Sequence, residues 1–286
     1  MPAARAAPPM QIYVTVDWEG LSLEEDNLQA MRQFRQKFPH IPMVQLMNPA
    51  YFVQKDAHRA QVAHAIRSTF LAHDTIGLHL HPLKPLVQHC GVPFHASPTL
   101  ADAPIPCEGD SCGYSVSLEL AYTQTELVQL VTCSSDLLVS NGFNRPRYFR
   151  AGGWQLGPKL QAALEANRFV WDSSRIAPDL LTSRWHADSR MIQRIQQLHP
   201  DSSTLDQPYA LSYQLMEFPN NAALADYTST RQLLQVFKQL LAAHKPVMVL
   251  GFHQETAADY LIRLERAIPH MEKIAKEQQV TIEWRH

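Results

Sequence analysis

Thr75-Ile76-Gly77-Leu78-His79-Leu80-His81 reads as a β-strand with two histidines at its tip, and Pro82 closes it. In extended backbone, side chains at i and i+2 share a face. His79 and His81 therefore form a ready pair of metal ligands. Alone, such a pair is more often two solvated surface histidines. Other strand-like runs end the same way, however. Tyr13-Val14-Thr15-Val16-Asp17-Trp18-Glu19 sets Asp17 and Glu19 on one face, Tyr148-Phe149-Arg150 ends in a cation, and residues 247–253 end in His253. Together these tips read as the site of a metal hydrolase.

Around them the chain alternates strands with helices. Strand-like runs cover residues 12–16, 43–46, 75–80, 147–149, 169–171, 215–218, 247–252 and 281–284. Helical periodicity covers residues 23–38, 57–73, 125–140, 159–165, 231–243 and 259–278. Thr123 and Glu126 make a capping box before the third helix, and Gly142 stands where a helix stop belongs. Such alternation predicts a parallel sheet with helical crossovers. Asp17, Glu19, His79, His81, Arg150, Asp172, Glu217 and His253 all fall at or just past C-terminal strand ends. In a barrel these ends meet at one mouth, where barrel active sites are built, whereas an open sheet would spread them along a line. No glycine-rich phosphate loop follows the first strand, and the barrel is the expected fold.

The 286 residues, 45% of them hydrophobic, suffice for one large core, and no linker or repeat divides them. Residues 1–10 are expected as a disordered tail and 11–286 as a single catalytic barrel. A formal net charge of -2 gives no electrostatic case for nucleic acid. No apolar run approaches the ~18 residues of a membrane span, and the first residues lack a secretory signal's apolar stretch. The cytoplasm is the expected location. Cys90, Cys107, Cys112 and Cys133 make no tight pattern; Cys107 and Cys112 could pair or form half a zinc site, but free thiols are the expectation. Two long irregular stretches, residues 82–115 and 175–213, are expected to wall a substrate cleft.

Five segments in order resemble the polysaccharide deacetylases, a family of carbohydrate esterases. They are Thr15-Val16-Asp17-Trp18-Glu19-Gly20, His79-Leu80-His81-Pro82, Phe149-Arg150-Ala151-Gly152-Gly153-Trp154, Val170-Trp171-Asp172-Ser173-Ser174 and Leu250-Gly251-Phe252-His253. The resemblance runs from about residue 11 to the C-terminus and marks a divergent member. The family usually has adjacent aspartates where Trp18 here separates Asp17 from Glu19, and three residues where only Leu80 separates the histidines.

The resemblance implies a distorted (β/α)7-type barrel, a divalent metal, commonly zinc, and removal of an N-acyl group from an amino sugar by a metal-bound water. It implies Glu19, His79 and His81 as ligands, although Asp17 could exchange roles with Glu19. Asp17 is then the general base, Arg150 its holder or a structural ion pair, and His253 the general acid. Asp172 would orient His253 or cap its own loop. Trp18, Trp154 and Trp171 could stack on a sugar, and Glu217 could touch substrate or lie on the rim. His95 is the reserve ligand. A small saccharide or sugar-containing molecule is the expected substrate. Deformylase or amidase activity on the same site, and a non-catalytic sugar-binding relative, are the alternatives.

Overall fold

The computed structural model describes residues 8–103, 107–187 and 189–286. Strand β1 (Met10–Trp18) is buried along nearly its whole length, as a strand flanked on both faces must be. It leads through α1 (Glu25–Lys37) to β2 (Met43–Met47), then through α2 (Arg59–Arg67) to β3 (Thr75–Leu80). The first long connection carries α3 (Lys84–His89) and α4 (Leu118–Ala121), followed by α5 (Gln124–Ser140), β4 (Tyr148–Ala151), α6 (Pro158–Ala166) and β5 (Trp171–Asp172). The second carries α7 (Arg190–Leu198) and β6 (Tyr209–Ala210), before β7 (Met216–Glu217), α8 (Thr230–Ala242), β8 (Val247–His253), α9 (Ala257–Glu277) and β9 (Ile282–Arg285).

The sheet order is β6-β7-β5-β4-β3-β2-β1-β8, with β9 beside the start of β1. Among the strands of the described residues, only β6 runs antiparallel to its neighbour. Strands β1 to β5 with β7 and β8 make seven parallel strands, and β9 adds an eighth, parallel to the start of β1, in one curled sheet. Its two ends approach through the segment after β7, where the Ala222 and Ala225 amides donate to the carbonyls of Val249 (3.0 Å) and Gly251 (2.8 Å). The architecture is the barrel that the strand ends predict, in the distorted form that the family resemblance implies.

Most element bounds fall within two residues of the periodicity. The Thr123–Glu126 capping box forms in both directions and starts α5. A second box, Ser229 with Gln232, starts α8. Helix α2 stops at Arg67, short of the expected residue 73, because Ser68 and Thr69 turn their hydroxyls back onto Ala65 and Ile66 carbonyls. Met10 was expected in the tail. Instead it opens β1, is 2% exposed and donates its amide to the Thr281 carbonyl. The rest of the expected tail, residues 1–7, lies outside the described residues.

The expectation of free thiols is overturned: Cys90 pairs with Cys133, and Cys107 with Cys112. The first pair joins the end of α3 to the middle of α5 across a sequence separation of 43. Spacing rules do not reveal such a pair, since it depends on the packing of α3, a helix that periodicity did not show. Gln129 reinforces the junction by donating to the Cys90 carbonyl at 2.8 Å. Replacing both Cys90 and Cys133 with serine is expected to cost about 2–4 kcal/mol, read from urea unfolding, because it frees a long loop in the unfolded chain. A loss near zero would mean that the α3–α5 packing alone fixes this region.

Candidate active site

Register brings the reactive side chains together. Asp17 on β1 lies opposite His253 on β8, and His79 on β3 lies opposite Arg150 on β4. Alternation points Asp17 and Glu19, and likewise His79 and His81, to the barrel axis. Glu19, His79 and His81 each offer a buried ligand atom, and these atoms lie within 4.8 Å of one another. Glu19 Oε2 stands 3.3 Å from His79 Nε2 and 3.0 Å from His81 Nε2. Beyond these ion-pair contacts, Glu19 Oε2 and His79 Nε2 are buried and make no hydrogen bond among the described residues.

Leaving buried polar atoms unpaired costs about 1–3 kcal/mol each, and a cation between them removes that cost. The opposite ring nitrogens are held as metal ligands usually are: His79 Nδ1 by the Arg150 carbonyl at 3.0 Å, His81 Nδ1 by the Tyr114 carbonyl at 2.5 Å. Tyr114 also stacks on the His81 ring, with centroids 4.3 Å apart. On the other side, Gly152 backs the same ring. A Cβ there would meet His81 atoms at 2.6–2.7 Å, so no larger residue fits without moving the ligand. The donor set of one carboxylate and two oriented imidazoles fits a divalent ion of the zinc class.

Asp17 belongs to a second group. Arg150, wholly buried, donates to Asp17 Oδ1 at 2.7 Å and to Thr15 Oγ1 at 2.9 Å. Its remaining nitrogens reach the Ser173 carbonyl and hydroxyl, both at 2.9 Å. The guanidinium thus spans the barrel interior beneath the mouth and fixes one oxygen of Asp17.

His253 lies between two carboxylates. Its Nε2 is 3.0 Å from Glu19 Oε1, and its Nδ1 donates to Asp226 Oδ2 at 3.0 Å. Burial by itself would lower the imidazole pKa, but the charge of Asp226, with Tyr227 and Glu19 adding to it, lifts it well above the usual range. Burial would in turn raise Asp226, yet His253 and Thr256 hold that carboxyl below its ordinary value. Glu19 is likewise pulled well below the carboxylate range: burial opposes this, and the charges of His79 and His81 outweigh it.

Several expected residues stand elsewhere. Asp172 does not orient His253; it accepts from the amide and hydroxyl of Ser174, at 2.9 and 2.8 Å. It faces Glu217 across the β5–β7 register, and burial together with Asp172 raises the Glu217 pKa well above the carboxylate range. Glu217 accepts from the Arg175 amide at 3.0 Å and does not line the cavity at the mouth. Trp18 points to the opposite face from its acidic neighbours, donates to Gln45 at 2.9 Å and packs edge-on to Tyr51 and Phe70. Trp171 stacks on Phe218 away from the site. His95 pairs with Glu126 at 3.2 Å on the outer face of α5. Of the expected sugar-contacting residues, Trp154 is the one that lines the mouth.

Three further residues escaped the sequence reading. Asp226 sits in the irregular segment that closes the barrel, positioned by the Gly251 carbonyl and by Arg263, which donates to the Ala225 carbonyl at 2.7 Å. Glu255 accepts from the amides of Glu19 (3.1 Å) and Leu21 (3.4 Å) and from the Tyr51 hydroxyl, fixing the turn that follows β1. Burial and the nearby Glu19 push its carboxyl up to about 7. Tyr114 comes from the first long connection, where no periodic signal marked it.

No family model and no curated protein matches the chain. Solved structures do. The chain is similar to a Mycobacterium smegmatis protein named as a candidate polysaccharide deacetylase, at 13% identity over 98% of this chain and 97% of that one, with a TM-score of 0.52. It also aligns with a family 4 carbohydrate esterase of Streptomyces lividans, at 12% identity over 96% and 93% of the two chains, with a TM-score of 0.45. A family 4 pseudoenzyme of Bacillus anthracis aligns at 10% identity over 98% of this chain and 67% of that one, also at 0.45. The first likeness establishes the class of fold: the chain is a curled, parallel-dominated barrel of the polysaccharide deacetylase kind.

Proposed function

We propose that this chain is a metal-dependent hydrolase that removes an N-acyl group, the acetyl group first among candidates, from an amino sugar, as a divergent relative of the polysaccharide deacetylases. The observation that carries the reading is the meeting, at one barrel mouth, of Glu19, His79 and His81 with a separately held carboxylate and a carboxylate-backed histidine. A sugar-binding module needs none of this set.

Glu19 Oε2 with the outward ring nitrogens of His79 and His81 would hold the ion. When bound, such an ion polarises an acyl carbonyl and makes a water acidic enough to attack near neutral pH. Asp17 is the base: Arg150 occupies Oδ1, and the carboxylate accepts the water's proton as the new C–O bond forms. His253 is the acid: with Asp226 on Nδ1, its Nε2 carries the proton given to the amine as the C–N bond breaks. The charge of Asp226 stabilises the imidazolium before that transfer. Arg150, buried and four times hydrogen-bonded, keeps Asp17 from drifting toward the ligand group.

Two disulfides favour an oxidising compartment. The cytoplasmic expectation rested on the missing apolar leader, and the disulfides weigh against it. No described helix is long and apolar enough to cross a membrane.

The test is amine release from a panel of N-acetylated and N-formylated sugars before and after chelation. Release is expected to fall at least about 100-fold in the chelated protein and to return with added Zn2+. Undiminished release from metal-free protein would overturn the reading.

A further inference from the structure

The cavity at the mouth is small, about 210 Å³, against the roughly 300–1,000 Å³ of sites that hold drug-sized ligands. Its floor is Asp17, Glu19, His79, His81 and His253, and its walls come from the two long connections. Leu100 and Tyr114 belong to the first, Trp185 and Met191 to the second. These connections meet above the site. Gly153, at φ +63°, lies between them so closely that a Cβ would stand 2.9 Å from Leu100 and 3.2 Å from Met191. Arg194 on α7 pairs with Asp102 of the first connection, tying the two together on the outside. His199, which burial pushes down to about 4 and thus keeps neutral, donates from Nε2 to the Trp154 carbonyl at 3.1 Å and ties the second connection to the turn after β4.

One wall is aromatic. Tyr227 stands edge-on to Trp154 at 5.6 Å and to His253 at 5.8 Å, and lies 5.1 Å from Trp185. Trp154 is 4% exposed and lines the cavity. Aromatic faces with a few fixed polar groups suit the apolar face of a pyranose ring and an acyl methyl.

Resting on the hydrolase reading, we propose that the two connections close the barrel mouth into a cup that takes one N-acylated sugar unit, free or at the end of a larger molecule, and turns away the interior of a polymer. A polymer interior must enter and leave through opposite sides of a site, and here Leu100, Gly153 and Met191 seal one side. The residues that decide this are Leu100, Met191 and Trp185, with the Asp102–Arg194 pair as their clasp.

The experiment titrates zinc-supplemented protein while following indole fluorescence, which Trp154 and Trp185 report from the walls. The probes are the N-acetyl derivatives of glucosamine, galactosamine and mannosamine, the corresponding N-acetylated hexasaccharides, and a long soluble N-acetylglucosamine polymer. At least one monosaccharide is expected to bind about tenfold tighter per sugar unit than the polymer, with its hexasaccharide binding once, by an end. Arg194→Ala, which opens the clasp without touching the floor, is expected to shrink that ratio. Polymer binding equal to or tighter than every monosaccharide, or an unchanged ratio in Arg194→Ala, would overturn the cup. Release of amine separates the two ideas. A monosaccharide bound but never deacylated keeps the cup and removes the hydrolase, whereas deacylation along polymer interiors keeps the hydrolase and removes the cup.

Discussion

Replacing His253 with alanine is expected to slow amine release by roughly 10²–10⁴-fold, the span that a positioned general acid contributes. The fall should appear in kcat with KM nearly unchanged, because the proton is needed only as the C–N bond breaks. Metal content should stay near that of the unaltered protein, since Glu19, His79 and His81 form their group without His253. Asp226→Asn should act in the same direction with a smaller effect, keeping a partner for Nδ1 while removing the charge that sustains the imidazolium. Activity within a few fold of the unaltered protein in His253→Ala would take the histidine out of the mechanism.

Arg150→Met is expected to destabilise the fold by about 3–5 kcal/mol, the cost of leaving a buried charge without its partner. The guanidinium has no exposed surface and makes four hydrogen bonds inside the barrel, to Thr15, Asp17 and, twice, Ser173. Methionine keeps much of the volume and none of those bonds, and Asp17 is left buried beside an apolar side chain. Arg150→Lys restores the charge without the planar fork and should recover only part of the loss. Urea unfolding reads both, with an unchanged m-value showing that the transition is the same. A loss below about 1 kcal/mol in Arg150→Met would mean that the barrel interior carries the change without cost.

The strand tips were the legible part of this protein. A histidine or carboxylate at the end of an apolar run needs only period-2 alternation and the C-terminal-mouth rule to be placed, and Asp17, Glu19, His79, His81 and His253 all reached one mouth on that basis. The same alternation applied once more would have sent Trp18 to the opposite face, where it packs on Tyr51 and Phe70. Of the two roles open to Asp172, the structure shows the loop cap on Ser174 and not the orientation of His253. Register sets it against Glu217.

Asp226, Glu255 and Tyr114 were not legible at all. Each lies where the backbone has no period, and each is positioned by a partner 27 to 236 residues away: His253 for Asp226, Glu19 for Glu255, His81 for Tyr114. The Cys90–Cys133 bridge was hidden for the same reason. Short-range pattern finds residues that point at a site; the residues that hold them come from long-range contact, which sequence spacing does not encode.

The division of labour between the two acidic residues of β1 and its following turn is the centre of the account. Glu19 stands with His79 and His81, whereas Asp17 is engaged by Arg150. Elemental analysis of the purified protein beside its Asp17→Asn and Glu19→Gln variants separates them directly. About one zinc-class ion per chain is expected in the unaltered protein and in Asp17→Asn, which should release no amine, and most of the ion should be lost from Glu19→Gln. Full metal occupancy in Glu19→Gln with depletion in Asp17→Asn would contradict the assignment.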